Sequence, residues 1–153
     1  MPHSTYFEAH DPGFIHNDKN PLRVEFGRVA NRRGWTKAKG NYQRQWKTCL
    51  IAELAYHVDN IVDGTGDKLE NMQMLCREYC NEAPPSITAC EKKLRKVHIN
   101  LLDWIDAQRR EATPHIFRTH NALKEYTQST KKFIPKSVLK SVPVMKVFMR
   151  GLS

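Results

Sequence analysis

The chain has 153 residues, 40% apolar and 27% charged, with 7 Gly and 8 Pro, which excludes disordered, collagen-like and disulfide-scaffold classes. That length supports one domain whose core needs no metal or disulfide staple. Lys and Arg outnumber Asp and Glu by 25 to 16, and the resulting charge of +9 bears on partners and solubility rather than on the fold.

Residues 1–19 read as an irregular arm containing His3, His10 and His16, packed on or leading into a helical domain over 20–153. Glu8 and Asp11 sit where a secretory or transit segment would be basic and then apolar, so neither is expected. Asn20-Pro21 is a cap followed by a first-turn proline, and Leu22, Phe26, Val29 and Ala30 then share one face, predicting a first helix to about Arg33. Gly34 suits the left-handed residue that ends it, and Thr36 suits the N-cap of the next. Tyr42, Trp46, Leu50, Leu54 and Val58 recur every four residues, predicting a long amphipathic second helix flanked by Cys49 and Ile61.

Asp63-Gly64-Thr65-Gly66-Asp67 is turn chemistry. Leu69, Met72, Leu75, Cys76 and Tyr79 mark a third helix that Pro84-Pro85 must end. Ser86 caps a predicted fourth helix, where Ile87, Cys90, Leu94, Val97, Leu101 and Trp104 advance by threes and fours and Ile99, Leu102 and Ile105 widen the stripe. A helix apolar over that much of its circumference belongs inside a bundle. Thr113-Pro114 opens a fifth through Ile116, Phe117, His120, Leu123 and Tyr126. Pro135 and Pro143 then divide a basic segment over 127–153 into short pieces, Lys136–Ser141 and Val144–Arg150.

The predicted fold class is therefore all-α, a compact bundle of about five helices with an irregular N-terminal arm and a Pro-interrupted tail. No run alternates as a strand does, and no unit repeats over 20–50 residues. The longest apolar stretch, Cys49 to Tyr56, is interrupted by Glu53 and is too short to span a membrane. An intracellular protein, cytoplasmic or nuclear, is the expectation, and Cys49, Cys76, Cys80 and Cys90 are read as small buried hydrophobes.

Charge is segregated: −2 over residues 1–22, +7 over 23–47, −5 over 48–90 and +9 over 91–153. The first basic block places Arg28, Arg32, Arg33, Lys37, Lys39 and Arg44 around Trp35, Tyr42 and Trp46. Cations displace counterions from phosphates, aromatic faces stack on unpaired bases, and a helix start beyond Gly34 offers N–H groups to an anion. Tyr42 and Trp46 lie on the apolar stripe and read as core, which leaves Trp35, in the turn, as the aromatic of the site. On this reading, replacing Arg32 and Arg33 with Ala flattens the salt dependence of binding by about two phosphate equivalents. The basic tail reads as core closure, its two prolines preventing a continuous target helix.

Catalytic and metal chemistry finds little support. Phosphate loops, nucleophile elbows, HExxH and dinucleotide fingerprints are absent, so no catalytic residue, cofactor or metal is assigned. Cys76 and Cys80 form one CxxxC without a second knuckle, and His115 and His120 fall on different helical faces. Asp103 and Asp106 share a face, but ion pairing with Arg109 and Arg110 is the expected role.

The strings EFGRVANRRGW, LCREYC, PPSITACEKKL, HINLLDWIDAQR, ALKEYT and KKFIPK resemble a family of small fungal proteins without an assigned activity. The resemblance covers most of residues 7–150 and implies a filamentous-fungal source and one compact domain, while Met72-Gln73-Met74 departs from it where a tryptophan is expected. The functional expectation is a non-enzymatic helical adaptor presenting basic faces to nucleic acid or to an acidic protein. The alternative is a small accessory enzyme or ligand-binding protein of fungal metabolism, with a pocket in the bundle lined by His57, His98 or His120 and acidic company. A homodimer through the fourth helix is a third reading.

Overall fold

Short polar side chains, prolines and left-handed residues set the helix ends. The computed structural model describes residues 6–7, 11, 13–62 and 66–149. Among them are α1 Leu22–Arg33, α2 Gly40–Asp59, α3 Lys68–Cys80, α4 Ile87–Leu94, α5 Leu101–Arg109, α6 His120–Thr130, α7 Lys136–Ser141 and a 3₁₀ helix, Pro143–Met149. The described chain is all-helical, and its strand pairing is limited to an isolated antiparallel bridge between His98 and Phe117. Residues 63–65 of the glycine loop, the arm residues His3, Glu8 and His10, and Arg150 lie outside the described residues.

Gly34 takes φ +74°, and the N–H of Trp35 turns back to the carbonyl of Ala30 at 2.8 Å, closing α1. Asn20 does not cap this helix. Its amide instead donates to Glu25 Oε2 at 3.0 Å, and the Leu22 N–H is taken by Asp106 Oδ1 at 2.8 Å. Thr36 does not cap α2 either, because its carbonyl accepts the Lys39 N–H at 3.0 Å, and that turn delays the helix to Gly40. Asp67 and Ser86 cap α3 and α4 through their side chains. Asn81, left-handed at φ 57°, ends α3 before the proline pair is reached.

The predicted fourth helix is two helices. Its apolar stripe continues in register through Val97, so periodicity alone does not reveal the break, but residues 95–100 leave the helix and the carbonyl of His98 accepts the Phe117 N–H at 2.8 Å. Asn100 restarts the chain as the N-cap of α5, its Oδ1 accepting the Asp103 N–H at 3.0 Å. The same pairing keeps Phe117 extended, so the helix expected from Pro114 begins only at His120, with Thr119 as its cap.

One apolar cluster joins Tyr6 and Phe7 of the arm to Phe148 of the 3₁₀ helix. Helix α5 lies at its centre, packed against α1 and α2 and burying Leu101, Leu102, Trp104, Ile105 and Ala107. Most of the apolar stripe of the predicted fourth helix is thus buried within the chain, with Ile87 and Val97 partly exposed. The basic tail closes the core with Ile134, Val138, Leu139, Val142, Met145 and Phe148, while Lys136, Lys140 and Lys146 remain exposed. No described helix is long and apolar enough to cross a membrane.

Buried charge holds the arm in place. Arg109, with no exposed side-chain surface, donates to Glu53 Oε1 at 2.7 Å and to the carbonyls of Asn17 and Asn20 at 3.1 and 3.2 Å. Glu53 also faces His57 Nε2 at 3.6 Å. Asp103 and Asp106 do not pair with Arg109 or Arg110 as the spacing suggests. Asp103 instead accepts from Tyr126 and Lys132 at 2.5 and 2.7 Å, and Asp106 takes the Leu22 N–H, because chain segments far away in sequence supply better-placed donors than the next helical turn does.

Candidate nucleic-acid interface

The seven residues that the sequence assigns to a basic site fall into two groups. Arg28, Arg32 and Arg33 on α1 are committed to acids. Arg28 donates to both oxygens of the buried Glu25 at 2.8 and 3.0 Å, and its guanidinium lies 4.9 Å over the Phe14 ring. Arg32 holds both oxygens of Asp11 at 2.8 and 3.3 Å, and Arg33 approaches the same carboxylate at 3.9 Å. Gly13 lies close beside this pair, where a Cβ would sit 3.0 Å from Arg32 Nη2 and the guanidinium would have to shift slightly. An open cleft of about 400 Å³ lined by Gly13, Phe14, Ile15, Arg28, Asn31 and Arg32 lies against this edge. These arginines are only half exposed and clamp the arm to α1, so their first role is structural.

Trp35 is not a free stacking platform. One of its faces packs on Phe26, ring centroids 6.2 Å apart at 28°, and Phe26 also gathers Tyr42 and Trp46, each at 5.1 Å. The turn that carries Trp35 into the core delivers the remaining cations to one place.

Lys37, Lys39 and Arg44 are exposed at the beginning of α2, and no ion pair is recorded for them among the described residues. Lys39 is itself the N-cap, extended at φ −107° and ψ 144°, and its side chain accepts nothing. The first turn of this 20-residue helix contains no acid. Arg44 folds back over it, its Nη2 3.8 Å from where a Cβ on Gly40 would be. Helix N-termini carry partial positive charge and normally attract acids, each worth about 0.3–1 kcal/mol, so cations gathered here repel one another and the helix dipole. Gly40 is exposed and has no side chain in front of its backbone N–H, whereas the Tyr42 N–H is taken by the Lys39 carbonyl at 3.2 Å. The corner thus gathers positive charge with no acid in its first turn.

Comparison with protein-family models, with curated proteins and with solved structures returned no match. The site's meaning therefore rests on its own geometry.

The cysteines and histidines of the described residues are placed as follows. Cys76 donates to the carbonyl of Cys90 at 3.6 Å, and burial, reinforced by the neighbouring Cys90 and Cys80 thiols, pushes it up to about 12. Burial likewise raises Cys80, and it holds Cys49 well above the ordinary thiol value with help from Glu53. Such thiols are protonated and unreactive at neutral pH. Among the described residues, no group of three or more His, Cys, Asp or Glu is arranged to hold a metal ion. Of the histidines weighed as pocket residues, His57 is buried against Glu53 and Trp104, whereas His98 and His120 meet in a surface cleft whose charged companion is Arg95 rather than an acid.

What the sequence does not indicate is the division of labour within the basic block. Its signal was present in the acids, because Asp11 and Glu25 neutralise the arginines nearest the arm. Lys37, Lys39 and Arg44 have no such neighbour within the first turn of α2.

Proposed function

We propose that the protein is a binding module that holds the phosphodiester backbone of a nucleic acid at the start of α2, through Lys37, Lys39, Arg44 and the backbone N–H groups that open the helix at Gly40. The observation that carries this reading is the accumulation of three exposed cations at an uncapped, acid-free helix N-terminus, with Arg44 folded over it. A phosphate placed there satisfies the N–H groups, neutralises the cations and removes their mutual repulsion. Trp35, packed on Phe26, supports the turn rather than reading bases, which favours recognition of backbone over sequence. Arg28, Arg32 and Arg33 add positive potential at the edge of the site while holding the arm.

The test is fluorescence anisotropy of labelled duplex DNA, single-stranded DNA and RNA across a salt series, with the Lys37→Ala/Lys39→Ala/Arg44→Ala variant beside the natural chain. Loss of three phosphate contacts lowers the slope of log K against log salt by about 2.7 on duplex DNA. An unchanged slope removes the corner from the interface. Poly-glutamate competing as well as nucleic acid, at equal charge, would assign the site to an acidic protein surface instead.

A further inference from the structure

A second concave site lies where the chain leaves α4, beside the first turn of α6 and the 3₁₀ helix. We propose that this cleft binds a small carboxylate carrying an apolar chain, with the carboxylate on Arg95, His98 and His120. The site shares no residue with the α2 corner and does not depend on that reading.

The cleft has a volume of about 410 Å³, within the range of small-molecule sites. Its lining divides cleanly by chemistry. Arg95, His98 and His120 supply N–H donors, whereas Val97, Leu123, Val147 and Phe148 supply an apolar wall, and none of the lining residues is acidic. A ligand filling it needs one anionic end and one apolar end.

The donors point to a single modest charge. Arg95 already gives one N–H to Glu91, Nη2 to Oε2 at 3.0 Å, which leaves other guanidinium hydrogens for a ligand and part of its charge compensated. The imidazoles of His98 and His120 lie 6.2 Å apart, inclined at 67°. Burial, with the charge of His120 adding to it, holds His98 below the ordinary imidazole value of 6.5, so at neutral pH it donates a hydrogen bond without carrying charge. One partly compensated guanidinium beside the neutral His98 donor matches a monoanion better than a phosphate dianion.

The walls are fixed before any ligand arrives. The His98 carbonyl is tied to the Phe117 N–H at 2.8 Å, and His120 opens α6 directly after its Thr119 cap. Leu123 and Phe148 are themselves part of the buried apolar surface. Such preformed sites retain more of their contact energy on binding.

Decanoate, below its micelle-forming concentration, is the probe, and the histidine ring signals in ¹H–¹³C NMR are the readout, assigned with His98→Gln and His120→Gln. Decanoate is expected to shift His98 and His120 saturably and to leave buried His57 unmoved. Decanol and acetate, each lacking one half of the ligand, should bind at least about tenfold more weakly, as should decanoate to Arg95→Gln, an exposed substitution that leaves the fold intact. The absence of a saturable shift overturns the proposal. So does decanol or inorganic phosphate binding as tightly as decanoate, or an equal loss of binding in the Lys37→Ala/Lys39→Ala/Arg44→Ala variant, which would reduce the effect to overall charge.

Discussion

Arg109 and Arg44 carry the same guanidinium in opposite surroundings. Arg109 has no exposed side-chain surface and spends its donors on Glu53 and the carbonyls of Asn17 and Asn20, tying α5, α2 and the arm together. Arg44 is exposed and lies over the start of its own helix, where the backbone repels it. The first charge is complete without a partner from outside, and the second is not. In a chain with net charge +9, the informative cations are those whose local field is unfavourable in the free protein.

Breaking the internal pair should have the largest effect. Arg109→Ala removes the guanidinium that pairs with the buried Glu53 at 2.7 Å and the donor to the Asn20 carbonyl, so a loss of about 3–5 kcal/mol is expected in urea denaturation. A domain of this size has about 5–15 kcal/mol in all, so the variant should approach the limit of folding. Replacing both partners, as in Glu53→Leu/Arg109→Met, removes the buried charges together and should recover much of the loss. If the double variant is no more stable than the single one, the pair does more than offset its own desolvation.

The next largest effect belongs to a buried polar group that joins the two halves of the predicted fourth helix. Asn100 caps α5 and donates to Thr127 Oγ1 and the Lys132 carbonyl at 3.1 and 3.0 Å. Asn100→Ala should cost about 2 kcal/mol, the sum of a lost cap and a stranded carbonyl. The less conservative outcome, a merger of α4 and α5 into one helix, would appear as added helicity in far-UV circular dichroism.

Local chemistry made much of the fold legible. Pro135 and Pro143 bracket α7 at Lys136–Ser141, Gly34 ends α1, and the four-residue spacing from Tyr42 to Val58 marks α2. The failures in the fourth and fifth predicted helices share a cause, which is pairing with distant segments. The bridge between His98 and Phe117 breaks one predicted helix and delays another, and the apolar period runs through it unchanged. Glu53 was visible as the one charge inside an apolar run, but its partner lies 56 residues away, and no spacing rule reaches that far. In the basic block, residue types marked candidate cations, while the ion pairs with Asp11 and Glu25, visible only in the fold, set Arg28, Arg32 and Arg33 apart from Lys37, Lys39 and Arg44.

Two carboxyls at the start of α1 should respond to pH in opposite senses. Burial alone would raise Glu25, but hydrogen bonds from the Asn20 amide, the Asn17 N–H and Arg28 outweigh it and hold the group below its ordinary 4.5. Its contribution is present above the unfolded pKa and is lost as pH falls through the folded one, so Glu25→Gln should flatten the loss of stability on acidification below about 4.5. Asp106 is raised above 3.8, chiefly by burial and against the pull of the Leu22 N–H. Its folded form holds the proton more tightly, so its contribution declines as pH rises from 3.8 through the raised value. Asp106→Asn keeps an oxygen for the Leu22 N–H, and urea midpoints from acid to neutral pH should show it at least as stable as the natural chain near neutrality.

The smallest expected change in stability bears most directly on the contrast between the two arginines. Lys39→Asp places a capping carboxylate where the N-cap of α2 has none, so the first N–H groups gain an internal acceptor and Lys37 and Arg44 gain a counter-charge. A rise of about 1 kcal/mol in urea denaturation is expected. The same substitution fills the anion position, so nucleic-acid affinity should fall together with its salt slope. Stabilisation with loss of binding is the signature of a helix start kept unfavourable for a partner's sake, because a merely solvated basic turn has no binding to lose. If Lys39→Asp stabilises α2 and leaves the salt slope unchanged, the cations of the corner act separately from the helix end, and the phosphate contacts move to Lys37 and Arg44 alone.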